Sequence, residues 1–131
     1  MGARTILLVS DSDENRTTLR QILDDEGWDV RESGGITETR ALLKPEWPRV
    51  ILTESRLPDG TWVDLLALAT AVCPRAKVIV TAPHADEWLW AEVLNHGAFD
   101  LLNQPLDADE VLRVGTSALR IPNSLSREAS A

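Results

Sequence analysis

The stretch Ile6-Leu7-Leu8-Val9 is apolar at every position. A strand with one solvated face alternates apolar and polar side chains, so a run without alternation has to be covered on both faces, as a parallel strand between two layers of helices is. Short β-type runs recur at residues 5–9, 28–32, 50–53, 77–81 and 100–102, separated by stretches whose apolar residues return at helical spacing. Five βα repeats of this kind predict one parallel sheet flanked by helices. With 131 residues, 44% of them hydrophobic, the chain can bury one such core.

The helices have legible ends. Ser12 followed by Asp13 and Glu14 opens the first, and Asp107 with Glu110 three residues on opens the last as a variant of the capping box. Leu19, Ile22 and Leu23 then make one face of the first helix, and Val111, Val114 and Ala118 one face of the last, both core-facing stripes. The pattern stops after Arg120. Residues 1–120 are therefore expected to form one domain, and the Ser-rich residues 121–131 a disordered tail or linker.

Charge and composition narrow the function classes. A formal net charge of -8 repels phosphate backbones, so the chain is not expected to bind nucleic acid. It carries no long apolar segment of the kind a secretory signal or membrane span needs, which predicts a cytoplasmic protein that binds no membrane. The single Cys73 cannot form an internal disulfide and reads as a small buried hydrophobe.

In an open parallel sheet the crevice lies beyond the carboxyl ends of the strands. The predicted strands end in Ser10-Asp11-Ser12-Asp13, Glu54-Ser55-Arg56-Leu57-Pro58-Asp59-Gly60, Thr81-Ala82-Pro83 and Asn103-Gln104-Pro105. Asp11 and Glu54 would meet there. Two carboxylates so placed bind a hard cation such as Mg2+, raise one another's pKa, or pair with a base. The same two residues serve equally well as solvated acids at helix N-termini, where the dipole favours negative charge.

The segments Ile6-Leu7-Leu8-Val9-Ser10-Asp11, Leu57-Pro58-Asp59-Gly60, Gly97-Ala98-Phe99-Asp100 and Gln104-Pro105 fall in the order and spacing of receiver domains. From Arg4 to Leu119 the chain resembles the receiver family of bacterial response regulators. The resemblance implies a doubly wound α/β fold: a five-stranded parallel sheet of order 2-1-3-4-5 flanked by five helices, the flavodoxin-like arrangement. In that family an acidic pair follows the first strand, a phosphoacceptor Asp ends the third, a Thr or Ser ends the fourth, and a Lys precedes the Pro after the fifth. Here Ser10 stands for the first acid, and Asp11 keeps the second, the one that usually touches Mg2+. Glu54 occupies the phosphoacceptor position and Gln104 replaces the Lys. An ungapped match puts Ala82 at the hydroxyl position, with Thr81 taking it if the strand is slipped by one, and Leu101 at the aromatic switch position. The family's Lys-Pro bond is cis, so a cis Gln104-Pro105 bond is expected.

These departures weaken the chemistry together. The extra methylene of Glu54 moves the carboxylate by about a bond length, against the close placement that in-line transfer requires. Gln104 removes the cation that would neutralise phosphoryl oxygens, and Ala82 the hydroxyl that would bond them. Glu54 could instead hold charge partway toward an aspartyl phosphate, but without a hydroxyl at residue 82 a fixed scaffold is the preferred reading. The resemblance then implies a degenerate, non-enzymatic receiver in two-component signalling, with no required cofactor and at most a weak Mg2+ site at Asp11 and Glu54. It would meet a sensor kinase or output protein, or a second copy of itself, through its fourth helix, fifth strand and fifth helix. The competing reading is a Mg2+-dependent phosphoryl-accepting or phosphate-ester-hydrolysing site using Asp11 and Glu54. Against it stand the missing Lys and the lack of a general base, since His84 and His96 are assigned to the fourth helix.

Five tryptophans, one Phe and no Tyr make indole the main aromatic mass. Trp28 is expected to be half-buried, Trp47 to cover an edge of the core, and Trp90 to join the core beside Leu94. Trp62 either shields the acidic pocket or simply packs, with packing preferred. Trp88 shares a polar face with Ala91, Glu92 and Asn95 and is the candidate interface anchor.

Overall fold

The computed structural model describes residues 4–121; the expected tail, apart from Ile121, lies outside them. Five strands, β1 (Thr5–Val9), β2 (Asp29–Ser33), β3 (Val50–Glu54), β4 (Lys77–Ala82) and β5 (Asp100–Asn103), form one parallel sheet in the order β2-β1-β3-β4-β5. The connecting helices are α1 (Asp13–Asp25), α2 (Ile36–Leu42), α3 (Trp62–Val72), α4 (Glu87–Asn95) and α5 (Ala108–Arg120). A small antiparallel hairpin, Arg56–Leu57 with Gly60–Thr61, lies between β3 and α3. The expected strands are all present, with β2 starting one residue later and β3, β4 and β5 running one residue longer than the sequence suggests.

The unbroken apolar runs are explained by two cores, one on each face of the sheet. Successive side chains of a strand point to opposite faces. Leu7, Val9, Ile51, Val78 and Val80 accordingly join the cluster that includes Leu65 of α3 and Val93 of α4, while Ile6, Leu8, Val50, Leu52 and Ile79 join the one that includes Leu23 of α1 and Val114 of α5. Each fully buried side chain of this size contributes about 1.5–3 kcal/mol relative to exposure. Trp28, placed by the sequence as half-buried, is only 4% exposed. α5 covers it: a Cβ on Gly115 would stand 3.2 Å from the indole, so glycine there leaves room for the ring.

The helix caps match the sequence signals at both ends of the chain. The Ser12 hydroxyl accepts from the Asn15 N–H at 3.2 Å, and the Asp107 carboxylate from the Glu110 N–H at 3.0 Å. In α4 the stripe facing the sheet is Leu89 and Val93. Trp90, expected in the core, is 51% exposed, because one residue past Leu89 it is turned about 100° around the helix away from that stripe. His84 and His96 also fall outside α4 proper: His84 is in the β4–α4 loop and His96 is the C-cap. Among the described residues no helix is long and apolar enough to cross a membrane.

Candidate functional site

Because β1, β3 and β4 are neighbours, their carboxyl ends bring Ser10, Glu54 and Thr81 to one edge. The parity of each strand decides which side chains meet. Ser10 follows Ile6 and Leu8, Glu54 follows Val50 and Leu52, Thr81 follows Ile79, and Gln104 follows Leu102, all residues of the cluster under α1 and α5. The four polar groups therefore rise from the same face of the sheet.

They are paired among themselves. The buried Ser10 hydroxyl donates to Glu54 Oε2 and accepts from the Ser12 N–H at 3.0 Å. Arg16 on α1 holds the same corner, with Nη1 donating to the Ser10 carbonyl at 3.0 Å, a salt bridge to Asp13, and Nε 3.4 Å from Glu32 Oε1. One strand further along, Gln104 Nε2 donates to Thr81 Oγ1 at 3.0 Å, and the Gln104 N–H to the Ala82 carbonyl at 2.9 Å. The Gln104-Pro105 bond is cis, as is Trp47-Pro48, which the sequence did not suggest.

Of the two residues that the sequence offers for the hydroxyl position, the geometry brings Thr81, not Ala82, beside Glu54. Glu54 lies opposite Thr81 in the β3–β4 register, and the Thr81 hydroxyl meets Gln104. Ala82 has the opposite parity and packs in the cluster with Val78 and Val80. The hydroxyl beside Glu54 is thus Thr81's. Leu101 is buried in that second cluster as well.

Asp11 is exposed, immediately after the buried Ser10. Mg2+, the ion the resemblance implies, takes oxygen ligands in near-octahedral geometry. Ser10 brings no carboxylate and donates its proton to one oxygen of Glu54. Among the described residues no three His, Cys, Asp or Glu side chains are grouped to hold a metal. The donor set does not fit a built Mg2+ centre.

Sequence reasoning missed the role of Asp59. The N-cap of α2 is Gly35, which has no side chain to cap it; instead the Asp59 carboxylate, from the loop after β3, accepts from the Ile36 and Thr37 N–H groups at 2.8 and 2.9 Å. Those two bonds hold the exposed carboxyl below its usual pKa. The approach is close: a Cβ on Gly35 would lie 2.7 Å from Asp59 Oδ1, and one on Gly60 2.4 Å from Ile36 Cδ1. The cue was a helix start without a capping side chain, alongside an Asp-Gly pair in a loop of the same sheet edge.

Trp62 packs rather than shields: it is buried in the cluster with Leu65, edge-on to His96 with ring centroids 5.1 Å apart. Trp47 packs half-buried against the same cluster. Cys73 is buried at the end of α3, its thiol donating to the Pro48 carbonyl at 3.5 Å, and burial pushes its pKa up. Trp88 is 71% exposed on α4.

The likeness to known proteins runs through the whole chain. Residues 6–114 match the family model described as the response regulator receiver domain. The response regulator protein PilR of Pseudomonas aeruginosa is 30% identical over 129 residues, which are 98% of this chain and 29% of PilR. The DNA-binding transcriptional regulator NtrC of Proteus hauseri is 30% identical over 112 residues, 86% of this chain and 24% of NtrC. The chain thus spans less than a third of the length of either relative. Among solved structures, a CheY-like receiver domain protein from Methanospirillum hungatei JF-1 superposes with a TM-score of 0.80 at 26% identity, covering 95% of this chain and 98% of that one. The beryllofluoride-activated NtrC4 receiver domain dimer has a TM-score of 0.82 at 23% identity over 88% of this chain and 96% of that one, a likeness of fold. The matched strands are those whose ends assemble Ser10, Glu54, Thr81 and Gln104, and the chain belongs to the response regulator receiver domain family.

Proposed function

We propose that this receiver works without phosphate, as a degenerate module of two-component signalling whose output is a protein contact. The observation that carries the reading is the double pairing at the strand ends: Ser10 satisfies Glu54, and Gln104 satisfies Thr81. In receivers that accept phosphate, the corresponding positions hold an acid, an Asp, a hydroxyl and a Lys. Only the hydroxyl is kept here. A neutral amide at residue 104 cannot offset the charge of a phosphoryl group, which matters most in a half-buried pocket of low effective dielectric. Mg2+ binding at Asp11 and Glu54 is then weak and not required. The same lack of charge, and the exposure of His84 away in its loop, disfavours the hydrolytic reading.

The contact surface we assign is the side of the sheet formed by α4, β5 and α5, with the exposed Trp88 indole as its anchor. The occupant is a sensor kinase or an output protein, with a second copy of the chain as the other candidate; a structural relative of this fold forms a dimer when activated by beryllofluoride. Incubation with Mg2+ and a small phosphodonor, or with beryllofluoride, should leave tryptophan fluorescence and oligomeric state unchanged. Stoichiometric acyl phosphate on Glu54, or a dimer that needs beryllofluoride, would overturn the proposal.

A further inference from the structure

The end of the sheet opposite the pocket carries its own set of polar contacts. β3 and β4 begin side by side there, with the Lys77 N–H donating to the Arg49 carbonyl at 2.9 Å and the Arg49 N–H to the Thr5 hydroxyl at 3.0 Å. Both side chains reach the carboxyl end of α5. Arg49 Nη2 donates to the Leu119 carbonyl at 3.1 Å, and Lys77 Nζ to the carbonyls of Ala118, at 3.4 Å, and Ile121. The last carbonyls of a helix have no partner within it and carry the negative end of its dipole. Two cations supplied from outside the helix answer both needs. Burial, with Arg49 alongside, holds the Lys77 ammonium below its ordinary pKa, as expected for a charge drawn into a joint.

We infer that Arg49 and Lys77 form a clamp that fixes the last turn of α5 to the starts of β3 and β4. The device is distinct from the pocket: Thr81 lies four residue steps along β4 from Lys77, about 13 Å of strand. It is also sensitive to charge. Lys77 donates to the Ala118 carbonyl of α5 and to that of Ile121, its C-cap, so neutralising it removes both bonds at once and leaves Arg49 to hold the turn alone. Lys44 is the only other lysine of the chain, and it is exposed, so acylation of amines has a built-in control.

Amide hydrogen exchange on the full chain tests the clamp, comparing Lys77→Met, Arg49→Met and their combination with the parent. Exchange at residues 118–121 should rise about tenfold in each single variant, the loss expected for a charge-assisted bond, and further in the double. Amides of β1 and of the pocket edge should keep their rates, and Lys77→Arg should restore the last turn. If the double variant fails to fold, the two single variants carry the same comparison. Unchanged exchange at 118–121, or a rise spread evenly over all five strands, would overturn the inference.

Discussion

The two ends of the sheet are built from the same strands and do opposite things with charge. At the pocket end, neutral Ser10 and Gln104 meet Glu54 and Thr81 in closed pairs. At the other end, Arg49 and Lys77 bring cations to the carbonyls of α5. Between them lie strand residues buried on both faces, such as Leu8 and Ile51. A buried strand interior is constrained by packing, so substitutions there are felt as volume changes. Strand ends escape that constraint, which lets the chemistry at one end be altered while the fold and the far end stay intact.

The largest effect should come from restoring the pocket end. Ser10→Asp, Glu54→Asp and Gln104→Lys combined, with Thr81 untouched, should take phosphorylation by a small phosphodonor and Mg2+ from undetectable to stoichiometric by intact mass. Sequence reasoning alone would have added Ala82→Thr, which the β3–β4 register makes unnecessary. A combined variant that acquires phosphate only when Ala82→Thr is added would reverse the assignment of the hydroxyl to Thr81. One that stays inert in either form would mean that the pocket has lost more than its charges.

The choice between Thr81 and Ala82 shows where legibility ended. β1, β3 and β4 could be read because two-sided burial leaves unbroken apolar runs, and the first and last helices because Ser12 and Asp107 announce them. Choosing between Thr81 and Ala82 needed the face each occupies, and an unalternating strand hides its own parity: Val78, Ile79 and Val80 look alike though they pack in different cores. Trp90 failed for a related reason. Its spacing from Leu94 is helical, but a short helix offers the sheet only a narrow stripe, and the phase of that stripe is set by Leu89 and Val93. Asp59 was hidden because it caps a helix more than twenty residues away in sequence.

Next in size is a contrast between two tryptophans on neighbouring helices. Trp62→Ala should cost about 3–5 kcal/mol in urea unfolding, since it empties a buried ring's volume. Trp88→Ala should change stability by no more than about 0.5 kcal/mol, as exposed positions do, while weakening self-association or partner capture. Equal losses would make Trp88 a packing residue and remove the anchor from the α4 face. Smaller again, Ser10→Ala strips the hydroxyl that donates to a half-buried carboxylate, with an expected cost of about 1–3 kcal/mol by the same measurement. No loss would mean that solvent serves Glu54 as well as Ser10 does.

The smallest effect is one of pH, and it belongs to Asp59 at the edge of the pocket. The Ile36 and Thr37 N–H groups favour its ionised form, so its folded pKa lies below the unfolded value of about 3.9. A carboxyl shifted this way binds more protons when unfolded; its contribution is therefore complete above the unfolded pKa and fades as pH falls through the folded one. Asp59→Asn, which cannot ionise, should be less stable than the parent near neutrality, and the two unfolding curves should converge as the pH is lowered below about 4. Gly35→Ala should behave in the same way, because its new Cβ would lie 2.7 Å from Asp59 Oδ1 and expel the carboxylate from its place over α2. Combining the two substitutions should then add little to either near neutrality, since both remove one interaction. A gap between Asp59→Asn and the parent that stays constant down to pH 3 would mean that the α2 amides do not hold this charge, and the loop after Glu54 would have to be anchored by the hairpin alone.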